Sequence, residues 1–279
     1  MSKTEFLPGN DIAGAVAVSC DNNFKSNRLR ILIVGQLSVK SKSIGTVGKG
    51  MIPVSYDTIT KTSSFYQDEV VIAEKPSFDP GTQKFPFQFT IPEDAELSYE
   101  GHNVEISYEI TAVLDLPWRK TISDRSRLVI LEYIDDFPDE VTREVLNFEG
   151  KEILEIEIDS QKYCIGNKIS FKYRINTDMK FDSLRARIEH TEQSSIFEKH
   201  TEVLWEESIP SETIIHDQWQ SWTFNINKLF PPWVKSDLLL STLNLTVTIR
   251  RRMGFDKSVK IELFSGLCSK YRRGWTYAK

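Results

Sequence analysis

Three groups of residues in this 279-residue chain have the types that chemistry uses. Ser43-Ile44-Gly45-Thr46-Val47-Gly48-Lys49-Gly50 carries the glycines and the lysine of a phosphate-cradling loop. It lacks the first glycine at the required offset and a Ser or Thr after the lysine, and no helical pattern follows, so it reads as a hairpin loop. His102, His190, His200 and His216 offer imidazoles for a metal or a proton transfer. No two stand at ligand spacing beside a cysteine or an acid pair, so each reads as a strand or surface histidine. Glu155, Glu157 and Asp159 alternate along one strand. Calcium needs carboxylates converging in a loop, so these three read as the wet face of that strand. There is no Gly-x-Ser-x-Gly nucleophile turn. Asn244-Leu245-Thr246 fits a glycosylation sequon but falls inside a strand pattern. The residue inventory therefore predicts no enzyme, no cofactor and no metal centre.

Binding chemistry is better represented. From Arg250 to Lys279 there are nine basic residues against two acids, a surplus of seven. The overall charge of −5 then leaves −12 on the preceding 249 residues. Arg250, Arg251, Arg252, Lys270, Arg272, Arg273 and Trp275 form the candidate contact for an anionic lipid surface or an acidic partner. A charged edge that blocks strand addition is the competing reading of the same residues. Trp275 suits either a membrane interface or packing on the end of a domain. Trp219 is the better candidate for an exposed aromatic contact, whereas Trp222 falls in register with Phe224 and reads as core. The negative total and the lack of a recognised motif argue against nucleic acid as a partner.

These groups must be positioned by strands. Segments alternating apolar and polar residues recur along the chain, for instance Ile169, Phe171, Tyr173 and Ile175 against Ser170, Lys172, Arg174 and Asn176. Such alternation gives one dry and one wet face, as in antiparallel sandwiches. Helical periodicity is nearly absent. The reading is all-β, with two tandem antiparallel immunoglobulin-like β-sandwiches at 1–133 and 151–279. Residues 134–150 read as the linker, with one helical turn around Asp136-Phe137-Pro138. The halves look like copies. Phe6-Leu7-Pro8-Gly9-Asn10-Asp11-Ile12 parallels Tyr163-Cys164-Ile165-Gly166-Asn167-Lys168-Ile169, Leu29-Arg30 parallels Leu184-Arg185, and Phe87-Gln88-Phe89 parallels Trp222-Thr223-Phe224. Cys20, Cys164 and Cys268 are odd in number and far apart, so neither a disulfide nor a zinc framework is expected, and a reducing, cytoplasmic setting fits. No signal segment and no run near the roughly 20 apolar residues of a membrane span is seen.

The wording of one stretch adds a family. Pro80-Gly81 precedes Phe85-Pro86-Phe87-Gln88-Phe89-Thr90-Ile91-Pro92; Ser98-Tyr99-Glu100-Gly101 follows after a polar gap; then come the strand Val104–Ala112 and Leu114-Asp115-Leu116-Pro117-Trp118. With Phe6, Pro8, Gly9, Asn10, Ile12 and Gly14, this ordered set resembles the arrestin-like family. Asp115 to Trp118 is similar to α-arrestins, and Gly35-Gln36-Leu37 to the Vps26-type retromer subunit. The resemblance covers 1–133 well and 150–266 more loosely. It implies a cytoplasmic adaptor or scaffold in trafficking or signalling. The implied partner is a protein, either a membrane-protein cytosolic tail or, on the retromer-like alternative, a coat subunit at endosomes. A small-ligand carrier is the minor alternative. There is no PPxY motif, so ubiquitin-ligase recruitment by that route is not implied.

Overall fold

In the computed structural model the described residues are 5–44, 56–117, 121–134, 140–164, 168–176, 180–194, 197–225, 232–252 and 255–266. The chain divides into two compact units, Met1–Glu132 and Tyr133–Lys279. No α-helix occurs among the described residues, and none is long and apolar enough to cross a membrane.

The first unit holds β1 (Glu5–Phe6), β2 (Asp11–Cys20), β3 (Phe24–Lys25), β4 (Arg28–Ile44), β5 (Tyr56–Glu74), β6 (Ser77–Phe78), β7 (Gly81–Thr90), β8 (Tyr99–Glu100), β9 (Val104–Asp115) and β10 (Ile122–Ile130). One sheet runs β1-β10-β9-β4-β5, with β8 on β9. Only the β1–β10 pair in it is parallel. The ladders β2–β7 and β3–β6 make the other layer. The alternation in β9 does what it promised. Val104, Ile106, Tyr108 and Ile110 are buried, and the residues between them are half-exposed. Leu29, Phe78 and Leu114 are buried together, and Val16, Val18, Phe24, Ile72 and Phe85 pack on them from both layers. Each such side chain contributes about 1.5–3 kcal/mol on full burial.

The second unit holds β11 (Thr142–Phe148), β12 (Lys151–Ile158), β13 (Lys162–Cys164), β14 (Lys168–Ile175), β15 (Ser183–Ser194), β16 (Phe197–Pro210), β17 (Gln220–Asn225), β18 (Val234–Lys235), β19 (Leu239–Arg250) and β20 (Lys257–Gly266). Its sheets are β13-β20-β19-β15-β16, with β18 on β19, and β11-β12-β14-β17. Phe171, Trp222 and Phe224 are buried between them, and Trp205 of β16 stacks on Phe224 with centroids 3.8 Å apart.

The two units repeat one topology. A short strand pairs in parallel with the last long strand in both, β1 with β10 and β13 with β20. The order β1-β10-β9-β4-β5 matches β13-β20-β19-β15-β16, and β2–β7 matches β14–β17. The three matches noted in the sequence fall on equivalent strands: Phe6 and Tyr163, Leu29 and Leu184, Phe87 and Trp222. What the second unit adds is the hairpin β11–β12. Its first strand lies in the segment read as linker: residues 142–148 form a sheet strand, and its second strand opens the C-terminal sandwich as expected. Glu149 and Gly150 both have positive φ, 51° and 76°, and join Phe148 to its partner Lys151. A two-residue hairpin of this kind matches strand twist and favours glycine. The residues expected to form the helical turn lie mostly outside the described ones.

A second correction concerns the cysteines. Cys20 is free, but Cys164 is disulfide-bonded. Its strand β13 runs parallel to the end of β20, with Cys164 opposite Gly266, so a separation of 102 residues in sequence becomes lateral contact. The sequon Asn244 sits in β19, only 6% exposed, where no glycan has room.

His190 of β15 is 1% exposed. Its Nδ1 lies 3.3 Å from Glu202 Oε1 and its Nε2 3.1 Å from Ser241 Oγ. Burial holds its pKa below the usual histidine value, against the opposing pull of Glu192 and Glu202. Below about pH 6.5 the unfolded chain takes up a proton that the folded one refuses, so stability falls as pH falls, by at most about 1.4 kcal/mol per pH unit. Urea titrations of wild type and His190→Gln between pH 7.5 and 5.5 check this. The difference between the two should shrink as pH falls, and parallel curves would reject the assignment.

Candidate binding cavity in the N-terminal unit

A cavity of about 360 Å³ opens between the layers of the first unit. Ile33, Phe65, Tyr66, Phe89, Tyr108 and Leu128 are among its lining residues, with Asp94 and Glu96 at its polar side. Two local features build it. The first is a register shift in β5. Gly35 pairs with Tyr66 and Gln36 with Ser64, which leaves Phe65 as an extra residue. A bulge breaks strict alternation, and both Phe65 and Tyr66 line the cavity. The second is Gly35 itself. A Cβ there would stand 2.8 Å from Phe65 Cζ and 2.9 Å from Tyr108 Cε1. The absence of a side chain lets both rings lie against β4. Phe65 and Tyr108 meet edge to face at 5.6 Å, and Tyr66 stands 6.4 Å from Tyr108.

The loop between β7 and β8 closes one side and is held firmly. Gly9 N–H donates to the Ile91 carbonyl at 3.1 Å, and Ala95 N–H to that of Pro92 at 3.2 Å. The Tyr108 hydroxyl donates to the Glu96 carbonyl at 2.9 Å. Ser98 N–H donates to the Ile130 carbonyl at 2.7 Å, and Ile130 N–H returns a bond to Ser98 Oγ at 2.9 Å. Burial raises the Tyr108 pKa strongly, and the Glu96 and Asp94 carboxylates raise it further. The Tyr66 phenol is raised by burial and by Asp68. Both phenols stay neutral donors at physiological pH, in a field set by carboxylates. The cavity adjoins β5, which among the described residues pairs only with β4. Its other edge presents backbone donors and acceptors, and Ile59 and Val71 are exposed along it.

The sequence pointed elsewhere. Arg250 is engaged within its own unit, Nε lying 3.7 Å from Asp256 Oδ2. The Arg251 guanidinium lies 5.4 Å from the Phe148 ring centre, and Arg252 is exposed. Lys270, Arg272, Arg273 and Trp275 fall outside the described residues, as does most of Ser43 to Gly50. Of the cavity's residues, Asp94 and Glu96 fall in the polar gap between two strand patterns, and Tyr108 falls on the apolar face of the strand Val104–Ala112. The signal that could have found them is the adjacent aromatic pair Phe65-Tyr66 inside an alternating strand, with acids Asp94 and Glu96 downstream.

Glu155 requires a third correction. It is not on a wet face: it is 0% exposed. Arg143 of β11 and Arg174 of β14 both ion-pair with it. The Nε of Arg174 donates to Oε1 at 2.8 Å, and Asn176 Nδ2 donates to the same oxygen at 2.5 Å. Trp219, 39% exposed as expected of a contact residue, stands 5.1 Å from the Arg174 guanidinium and 5.8 Å from that of Arg143. The carboxylate thus fastens the added hairpin to the duplicated sandwich. Trp222 is core, 5% exposed, its Nε1 donating to Glu207 Oε2 at 3.2 Å.

Residues 2–136 match the family model described as "Arrestin (or S-antigen), N-terminal domain". The chain is 29% identical over 112 residues to the arrestin domain-containing protein 1 of Rattus norvegicus, covering 40% of this chain and 23% of that protein. It is 25% identical over 112 residues to the Homo sapiens protein of that name, with the same coverage. The Mus musculus protein is 27% identical over 110 residues, covering 39% and 23%. The aligned part therefore spans less than a quarter of these relatives.

Proposed function

An arrestin-like chain built of two duplicated sandwiches is the premise from which we propose that this protein acts by binding, without catalysis, as a cytosolic adaptor. Its partner is an extended segment of another protein, such as the cytosolic tail of a membrane protein. The segment adds to the free edge of β5 by backbone hydrogen bonds and places one side chain in the neighbouring cavity. The observation that carries this reading is the coincidence of the two features: the unpaired long edge and the aromatic cavity share Phe65 and Tyr66. The arrestin-type match of residues 2–136 supports it, because the cavity lies wholly inside that span.

An array of peptides tiled over the cytosolic tails of the source cell's membrane proteins tests the proposal. Peptides retained by the chain should slow hydrogen exchange at amides of β5 that do not bond to β4. Retention with protection confined to the second unit, or no retention from the array, would reject it. Purification from native extract separates the coat-subunit alternative, which requires a large stoichiometric partner.

A further inference from the structure

The cavity's chemistry is specific about what it accepts. Its body is apolar, from Ile33, Phe89, Ile91, Leu128 and Ile130, and the Phe65 and Tyr66 rings each stand beside that of Tyr108. The charged groups that act on the two phenols are all carboxylates: Asp68, Asp94 and Glu96. Aromatic faces and carboxylates attract the same kind of guest, a cation. An anionic guest would meet the carboxylates without a facing basic group. A neutral apolar guest would leave them unused.

We infer that the cavity is a lysine-side-chain site: the alkyl stem lies on the apolar wall, and the ammonium sits among the Tyr66 and Tyr108 rings near Asp94 and Glu96. This rests on the reading of β5 as a peptide-binding edge. It deepens that reading by naming the residue type that the bound segment must carry beside the bulge. The bulge supplies two consecutive aromatics where a regular strand would supply one. Gly35 lets the rings recess, and the pinned β7–β8 loop fixes the backbone that carries the acids before any ligand arrives. A backbone set in advance does not have to be ordered on binding.

The test uses the lysine side chain alone as n-butylammonium, with n-butanol as its uncharged counterpart. Both are titrated into the full chain, labelled at tyrosine for NMR. The ammonium should shift the Tyr66 and Tyr108 signals and bind about tenfold more tightly than the alcohol, a difference within the range of a cation beside aromatic faces. The preference should fall to within about twofold in Asp94→Asn/Glu96→Gln. Tyr66→Phe keeps the ring and should retain most of it, which shows that a fold-competent variant of the site still reports. Equal affinity for the two probes, no binding of either, or a preference that survives the double substitution overturns the inference. Peptide capture at β5 with no ammonium preference rejects the lysine site and leaves the adaptor reading standing. Ammonium preference with no peptide captured does the reverse.

Discussion

Glu155→Ala should lower the unfolding free energy of the C-terminal unit by about 2–3 kcal/mol. Removing one partner of a buried ion pair typically costs about 3–5 kcal/mol, because the other partner is left uncompensated. Here the two arginine side chains keep 52% and 31% of their exposure, so water recovers part of that loss. The rest is not recoverable: Asn176 and the Arg174 Nε lose their acceptor inside the sheet. Glu155→Gln, which keeps the shape and one acceptor oxygen, should cost about half as much. Equilibrium urea unfolding followed by tryptophan fluorescence measures both, since Trp205, Trp219, Trp222 and Trp233 all lie in this unit. Hydrogen exchange in β11 should rise more than in β19, because the carboxylate fastens the hairpin rather than the duplicated core. A change below about 0.5 kcal/mol would mean that the carboxylate carries no net stability.

Gly35→Val should abolish ligand binding to the cavity and destabilise the N-terminal unit by about 1–3 kcal/mol, the usual range for overpacking. The obstructing atoms all belong to two rings, Phe65 and Tyr108. Phe65 is half-buried and has room to swing outward, but Tyr108 is 3% exposed and tied by its hydroxyl to Glu96. The new side chain therefore pushes Phe65 across the cavity mouth. An alanine Cβ meets the same rings but lacks the two methyls of valine, so the alanine variant should be milder. Adding Phe65→Leu to Gly35→Val should recover stability, because a smaller side chain relieves the contact. Chemical denaturation and the n-butylammonium titration read the two consequences separately. Unchanged ligand affinity in Gly35→Val would show that the glycine does not shape the cavity.

Much of the architecture was legible residue by residue. The dry faces of β4, β9, β14 and β19 follow from period-2 alternation, because successive side chains of a strand point to opposite faces. The duplication was legible because equivalent strands start on similar words, such as Leu29-Arg30 and Leu184-Arg185. Strand β11 was not. Its pattern is short and sits beside acids and a proline that suggest a linker, and only pairing with β12 decides its state. Glu149-Gly150 was the one local clue, since a glycine before Lys151 suits a tight hairpin.

The linear order of residues determined that the described part of this chain is built of strands in two duplicated units, because alternation and turn residues act between near neighbours; residues 2–136 are similar to the arrestin N-terminal domain. Which charged groups are dry, and where a cavity opens, was decided by the tertiary structure. Glu155 and Glu157 look alike in sequence, yet Glu155 has lost all contact with water because two arginines and an asparagine close over it. Phe65 became a cavity wall through a register shift set jointly by β4 and β5, and Asp94 and Glu96 met Tyr108 through the folding of a loop over a sheet. Burial and electrostatic field depend on distances in space, and a strand pattern carries no record of what will be folded against it.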